Sequence, residues 1–344
     1  MARQCRLRTH AIHNANIAAR KTVMTLHLKA ITLDGSGGCN HDMARALAHF
    51  KAIQQPVWVH LKADEANSAA WLKDQSDLHE VAIQALLSEA TRPRTLSRGN
   101  RLLLTLRGVN TAVTQDAADL ISLRLWSDGK RLLSSYLRPL ECTSDLRQWL
   151  EDGEGPNDIA GCITLIVDAV VESLHDTLSS FDDQVLIFEN ALLETTDKTS
   201  RARLSLLRKE LISVRRYLVP QREALERLAS STIDWLDDNH RIAIRESNDR
   251  LTRYIELIEE LRDRAALAQE ELVARLSEDT SRRSYVFAVV ATLFLPLGFI
   301  TGLLGINVGG MPGVDNELAF WWVACLCLGL GGALLAVFRL SRWL

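Results

Sequence analysis

Two uncharged stretches near the end of the chain dominate its pattern of hydrophobic and polar positions. The first runs from Tyr285 to Ile306 and the second from Leu318 to Phe338, with a short loop between them. A helix over the first stretch would rise ~33 Å, enough to cross the hydrocarbon core of a bilayer. The residues before Ser284 are polar enough for a soluble domain. The pattern therefore predicts a large soluble portion followed by a hairpin of two membrane helices.

Short strand patterns separated by helical ones predict an α/β domain over residues 24–155, after a basic tail, 1–23, that we expect to be disordered. Two helices are expected, over Met43–Ile53 and Leu78–Glu89. A linker with turn residues, Glu151–Asn157, closes the domain. The expected strands are Thr25–Leu33, Val57–Leu61, Arg101–Val109, Leu120–Trp126 and Arg131–Leu137, the last two joined by a hairpin turn at Asp128-Gly129.

Residues 156–284 carry apolar positions at helical spacing, which predicts a helical bundle and a stalk. We expect helices over Ile159–Leu193 and Thr196–Asn239, the second kinked at Pro220, and then one long helix from His240. Neither Gly nor Pro occurs between His240 and Leu295, so this helix can continue into the first membrane span, 285–307. The remaining segments of the chain are an outer loop, 308–317, a second span, 318–338, and a tail, 339–344. The apolar stripe of the long helix is formed by Leu251, Ile255, Ile258, Leu261, Ala265, Leu272 and Leu276.

The first span has a small and polar face that an ordinary membrane anchor would not need. Small side chains fall near one face at helical spacing, and Thr292, Thr301 and Asn307 are polar. Small residues allow helices to approach closely, and polar ones inside a membrane need protein partners or water. These residues are compatible with either of two structures. One is a helix dimer that packs through Gly298 and Gly302, and the other is the lining of a pore. The small residues are Ala288, Ala291, Gly298 and Gly302.

Composition and motifs exclude several other functions. The net charge of −3 and the pI near 6.3 argue against a nucleic-acid binder. The six cysteines show no spacing typical of disulfide frameworks, and we find no nucleophile–base pair, phosphate-binding loop or complete metal site. We interpret His60 and His79 as structural histidines, and Cys325 and Cys327 as apolar packing residues that point in different directions. We therefore expect neither enzymatic activity nor a bound cofactor.

The end of the first span resembles the CorA superfamily of divalent-cation channels. The resemblance rests on Leu295-Pro296-Leu297-Gly298-Phe299-Ile300-Thr301-Gly302, followed by Gly305-Ile306-Asn307 and a short loop to a final helix. The superfamily has Gly-Met-Asn at this place, and isoleucine in the middle is similar to the zinc-transporting ZntB branch. The resemblance extends back through the long helices to Arg92-Pro93-Arg94 and Trp58-Val59-His60-Leu61. It covers all but about the first two dozen residues.

The resemblance implies an α+β membrane protein that forms a homopentameric funnel in a bacterial inner membrane. Gly305, Ile306 and Asn307 would be the selectivity motif, and Asn307 would ring the outer mouth. Glu270 would form a cytoplasmic ring that attracts cations, because magnesium-channel relatives have a metal-sensing carboxylate there. The resemblance to the ZntB type also implies that zinc movement is linked to protons. The residues expected to line the pore are Ser284, Phe287, Ala291, Leu295, Gly298 and Gly302.

Charge around the spans predicts the topology and the way in which a cation is held. Arginines flank both spans and the loop lacks Lys and Arg, so both termini should be cytoplasmic, with Asp315 and Glu317 outside as attractors of cations. The pore face offers no Cys, His or carboxylate, so no high-affinity metal site is expected there. Asn307 amides suit hydrated Zn²⁺, Ni²⁺, Co²⁺ or Cd²⁺ as the transported substrate. The alternative function is that of a membrane-anchored sensor or scaffold with a coiled-coil stalk. A dimer in detergent would favour this alternative.

Overall fold

The computed structural model describes residues 28–75, 77–89, 92–109, 120–194, 198–306 and 318–340. The chain divides into two compact units, Met1–Gln269 and Glu270–Leu344. The sequence-based boundary at residue 155 differs from this division. The reason is that one continuous apolar core joins strands of the sheet to the helices that follow residue 156.

The first unit is built on a seven-stranded sheet with strand order β2-β1-β3-β7-β6-β5-β4. Neighbouring strands are antiparallel except β3 and β7, which are parallel. The turn at Asp128-Gly129 joins β6 to β7 as expected, and the positive φ of Gly129, 90°, is one that glycine adopts without strain. The strands are β1 Leu28–Leu33, β2 Cys39–Asn40, β3 Val57–Lys62, β4 Arg94–Arg98, β5 Arg101–Gly108, β6 Ile121–Ser127 and β7 Arg131–Tyr136.

Helices cover both faces of the sheet. Side chains of successive strand residues point to opposite faces, so Leu102 and Leu104 belong to one core and Leu103 to the other. Burial on both faces explains why the central strands are almost continuously apolar. The first seven helices are α1 Met43–Ala52, α2 Ala66–Gln75, α3 Glu80–Leu87, α4 Glu141–Asp152, α5 Ile159–Glu172, α6 Leu174–Glu194 and α7 Lys198–Ala229.

Two long helices predicted from the sequence are shorter in the structure. The helix expected over Ile159–Leu193 is interrupted at Ser173, whose hydroxyl donates to the carbonyl of Val170 and ends α5. The helix expected to reach Asn239 ends at Ala229, because the hydroxyl of Ser231 donates to the carbonyl of Leu228 in a closing turn. Pro220 lies inside α7.

The last two helices are α8, Asp238–Leu304, and α9, Ala319–Leu340. Six of the seven residues expected in the apolar stripe of the long helix are buried, and Leu276 is half-buried. Both helices contain a stretch long and apolar enough to cross a membrane. The membrane stretch of α8 and all of α9 belong to the second unit.

Candidate functional site

The six residues expected to line a pore share one face of α8. At 3.6 residues per turn they fall within an arc of about 80° around the helix axis. All six are exposed in the chain, and the two large ones, Phe287 and Leu295, are 75% and 73% exposed. Exposed phenylalanine and leucine on a span of this length indicate contact with lipid or with another copy of the chain. The set comprises Ser284, Phe287, Ala291, Leu295, Gly298 and Gly302.

The opposite face of α8 is partly buried. Its half-buried residues centre about 155° around the axis from Ser284. Leu297 on this face lies near Gly331 of α9, since a Cβ added to that glycine would be 3.9 Å from Leu297 Cδ1. The half-buried residues are Tyr285, Val289, Leu293, Pro296, Leu297 and Ile300.

A matching stripe runs along α9. Its half-buried and buried positions recur every three or four residues, which places them on one side of the helix. We infer that α8 and α9 pack through these two stripes, so the predicted pore face is left without a partner among the described residues of the chain. The α9 stripe was not predicted, although its spacing of four is visible in the sequence. Its members are Ala319, Val323, Ala324, Cys327, Leu330, Gly331, Leu334 and Phe338.

The two threonines of the first span are satisfied by their own helix. Thr292 Oγ1 donates to the carbonyl of Ala288 at 2.8 Å, and Thr301 Oγ1 donates to the carbonyl of Leu297 at 2.9 Å. Hydroxyls bonded in this way need no partner from another helix in an apolar environment. The threonines therefore do not require the water or partner helix that the sequence suggested.

The helix stops just before the expected selectivity motif. α8 ends at Leu304, and not at residue 307 as expected, with Gly305 in a turn whose N–H donates to the carbonyl of Gly302 at 3.2 Å. A Cβ on Gly305 would lie 3.0 Å from the carbonyl oxygen of Thr301, so the close turn favours glycine. Ile306 is exposed at the end of this turn. Asn307, Asp315 and Glu317 lie outside the described residues.

Comparisons with known proteins identify the group to which this architecture belongs. The family described as CorA-like Mg²⁺ transporter protein matches residues 54–340. The chain belongs to the CorA-like transporter family. The family consists of transporters, which agrees with the expectation that the chain is not an enzyme.

Two curated relatives and one solved structure show the extent of the similarity. The divalent cation transporter CmaX of Pseudomonas aeruginosa is 36% identical over 318 residues, which cover 91% of this chain and 95% of that protein. The zinc transport protein ZntB of Yersinia enterocolitica is 32% identical over 315 residues, which cover 91% of this chain and 94% of that protein. A structure of full-length CmaX superposes with a TM-score of 0.79 at 34% identity, covering 92% of this chain and 97% of that one. The predicted α/β domain, long helix and two apolar C-terminal helices of a CorA-like fold are confirmed.

The acidic residues of the CorA-like long helix have different surroundings. Glu270 is exposed, whereas Glu259 accepts two hydrogen bonds from Arg215 of α7. A local pair is formed by Arg275, which donates to Glu271 within one turn at 2.6 Å. Arg264 instead reaches across to Asp182 and Glu189 of α6. Its hydrogen bond to Glu189 holds the pKa of that carboxyl below its usual value.

The described histidines and cysteines do not assemble a metal centre. Among the described residues, no group of three or more His, Cys, Asp or Glu side chains is placed to hold a metal ion. His79 caps α3, with Nδ1 accepting from the N–H of Val81 at 3.3 Å, and Cys325 is exposed while Cys327 is half-buried. Burial raises the pKa of Cys142 to about 12, so this thiol stays protonated and is a poor ligand.

Proposed function

We propose that this CorA-like protein carries divalent metal cations across the inner membrane through a pore built from identical copies of α8. The observation that carries the proposal is the free face of α8, which lies opposite the stripe packed against α9. One helix face cannot enclose a path by itself, so the pore requires several copies around an axis. The resemblance to the superfamily supports five. Zinc is the first candidate substrate, because the relative from Yersinia enterocolitica is a zinc transport protein.

The free face of α8 presents small side chains to a hydrated cation, interrupted by two large apolar ones. Ala291, Gly298 and Gly302 carry little or no side chain, whereas Phe287 and Leu295 are large and apolar. Rings of large apolar side chains can close a narrow pore by excluding water. In this arrangement Leu295 and Phe287 are gates, and the small residues between them leave room for an ion with its water.

Selection occurs at the Gly305-Ile306-Asn307 motif in this proposal. Zinc that has lost its water normally binds thiolate, imidazole or carboxylate, and the proposed pore face has none of them. A ring of Asn307 amides suits the waters around an intact hydrated ion better than a bare metal. Zn²⁺, Ni²⁺, Co²⁺ and Cd²⁺ should then compete, and the supply of metal in the cell decides which is carried.

Charged groups outside the spans assist the ion and set a limit on any proton linkage. Residues 285–306 and 318–338 contain no Asp, Glu, His, Lys or Arg, so a conventional proton relay within the bilayer is excluded. Asp315 and Glu317 attract cations to the outer mouth, and Glu270 does so on the cytoplasmic side. Neutralising Asp315 and Glu317 together should reduce uptake modestly, and more at low salt than at high salt.

Metal uptake by the purified protein in liposomes tests the proposal. Zinc should enter protein-containing vesicles faster than empty ones, and Ni²⁺, Co²⁺ and Cd²⁺ should each slow its entry. The oligomer in detergent should be a pentamer. A dimer without flux would favour the sensor or scaffold, and strict preference for zinc over nickel and cobalt would overturn the hydrated-ion mechanism.

A further inference from the structure

A small cavity in the first unit lies where β1, β3 and β7 meet α4. None of these elements belongs to the predicted membrane spans. Its volume is about 160 Å³. Pockets for drug-sized ligands measure roughly 300–1,000 Å³, so this cavity fits only a small ion or a small organic acid. The lining includes Lys29, Trp58, His60, Tyr136, Thr143 and Arg147.

The charged groups of the lining are cations. Within the described ranges, Lys29 forms no ion pair, whereas Lys62 at the end of β3 pairs with Asp64 at 3.2 Å. Arg147 engages Glu151 through Nε at 3.1 Å, and Glu151 also lies 3.8 Å from His41. This contact leaves the two terminal nitrogens of Arg147 for another acceptor. The lining contains no carboxylate, so its chemistry suits an anion and disfavours a metal cation.

A hydrogen-bond chain fixes the histidine in the wall of the cavity. Trp58 Nε1 donates to Ser134 Oγ at 2.7 Å, and Ser134 Oγ lies 2.6 Å from His60 Nδ1. The only other acceptor near that hydroxyl in the described residues is the carbonyl of Val59, at 3.4 Å, so we assign the hydroxyl proton to His60 Nδ1. The other ring nitrogen, Nε2, then carries the hydrogen and is the donor left for a ligand.

The histidine acts as a neutral donor at ordinary pH. Burial together with the charges of Lys29 and Arg147 lowers the pKa of His60 to about 3. Its ring is stacked on Tyr136 with centroids 4.4 Å apart, which holds its plane in place. A fixed N–H that shares a cavity lining with two cationic side chains suits the binding of an oxyanion without a third charge.

We propose that this cavity binds a small oxyanion, with a carboxylate or phosphate group held by Lys29, Arg147 and the Nε2–H of His60. The site is separate from the conduction path proposed for the second unit, and its existence does not depend on which metal is carried. A small anion bound here would bridge β1 to α4 through the two cations. The first unit would thereby respond to an anionic solute.

Calorimetric titration of the full-length protein with inorganic phosphate and, separately, with succinate tests the site. The variant Lys29→Met/Arg147→Met should bind about 100-fold more weakly than the wild type, because each of the two lost charge-assisted contacts costs about a factor of ten. Lys73→Met/Arg245→Met removes the same charges elsewhere and should bind as the wild type does. Lys29→Met alone, at an exposed position, should also weaken binding and serves if the double variant does not fold.

The two titrations identify the class of ligand. Binding of phosphate alone assigns a phosphate site, binding of succinate alone assigns a carboxylate site, and binding of both assigns a general oxyanion site. Failure of the wild type to bind either anion would overturn the proposal. Equal affinity in the wild type and in Lys29→Met/Arg147→Met, or equal weakening in the control, would do the same.

Discussion

Two leucines in the first membrane span show how position, at the scale of a residue, determines what the same side chain does. Leu295 is exposed on the free face of α8, whereas Leu297 lies against Gly331 of α9. Leu295→Ser should raise ion leak through reconstituted protein, because a polar ring holds water at the proposed constriction. Leu297→Ser should weaken the pairing of the two helices without raising the leak. Efflux of a trapped cation from liposomes distinguishes them, and an unchanged leak in assembled Leu295→Ser protein would remove Leu295 from the pore.

His60 makes the stability of the first unit depend on pH. In the unfolded chain the imidazole gains a proton as the pH falls through about 6.5, but in the folded chain its pKa is about 3. Its contribution to stability is therefore complete above about pH 6.5 and is lost progressively between pH 6.5 and 3, at roughly 1.4 kcal/mol per pH unit. His60→Phe retains an aromatic ring and removes the proton, so the unfolding temperature should fall less between pH 7 and 5. The exposed control His175→Phe should keep the wild-type slope, and a wild-type slope in His60→Phe would contradict the assignment.

At the scale of an element, an arginine that joins two helices should matter more than one that pairs locally. Arg264 of α8 donates to both carboxylate oxygens of Glu189, at 2.9 and 2.7 Å, and to Asp182 at 2.8 Å. Within the part of the chain that the structure describes, Arg262 pairs only with the adjacent Asp263. Arg264→Met should cost about 1 kcal/mol and lower the unfolding midpoint by about 2–4 °C, and Arg262→Met should change little, because exposed single pairs contribute little. Equal midpoints for the two variants would show that the three contacts of Arg264 do not stabilise the pairing of α6 with α8.

The elements that could be predicted from the sequence are those with a strong internal period. The central strands β6 and β7 flank the turn signal Asp128-Gly129, and the long helix contains neither Gly nor Pro before Pro296, so both were predicted to within a few residues. The strand Arg94–Arg98 was missed because it lies at the edge of the sheet and only Thr95 among its residues is buried. The helix Ala66–Gln75 was missed because it shows only a weak apolar face.

The same distinction applies to the candidate site. Which residues share a face of α8 follows from the helical period alone, so the set from Ser284 to Gly302 could be chosen from the sequence. Which face α9 covers depends on contacts between residues far apart in the chain, such as Leu297 with Gly331, and the sequence does not give them. The anion cavity likewise requires β1, β3, β7 and α4 to be brought together by the fold.

At the scale of the whole molecule, charge should orient the protein in the membrane. Arg282 and Arg283 precede the first span and Arg339 follows the second, whereas residues 308–317 contain no Lys or Arg. The excess of positive charge stays on the cytoplasmic side, so both termini should be inside the cell. In a cysteine-free background, an impermeant thiol reagent should label Gly313→Cys in intact cells and should label Ser341→Cys only after lysis. Labelling in the reverse pattern would contradict this topology and the placement of Asn307 at an outer mouth.

In the proposed mechanism, divalent cations pass along the free face of α8 and are selected by Asn307. Zinc flux into liposomes under matched gradients, measured for the wild type, Asn307→Ala and Asn316→Ala, tests this mechanism. Asn316→Ala removes an identical amide from the same loop region and serves as the control. We expect Asn307→Ala to lose most of the flux while the proposed pentamer remains intact, and Asn316→Ala to transport like the wild type. Undiminished zinc flux in an intact Asn307→Ala pentamer would contradict this mechanism.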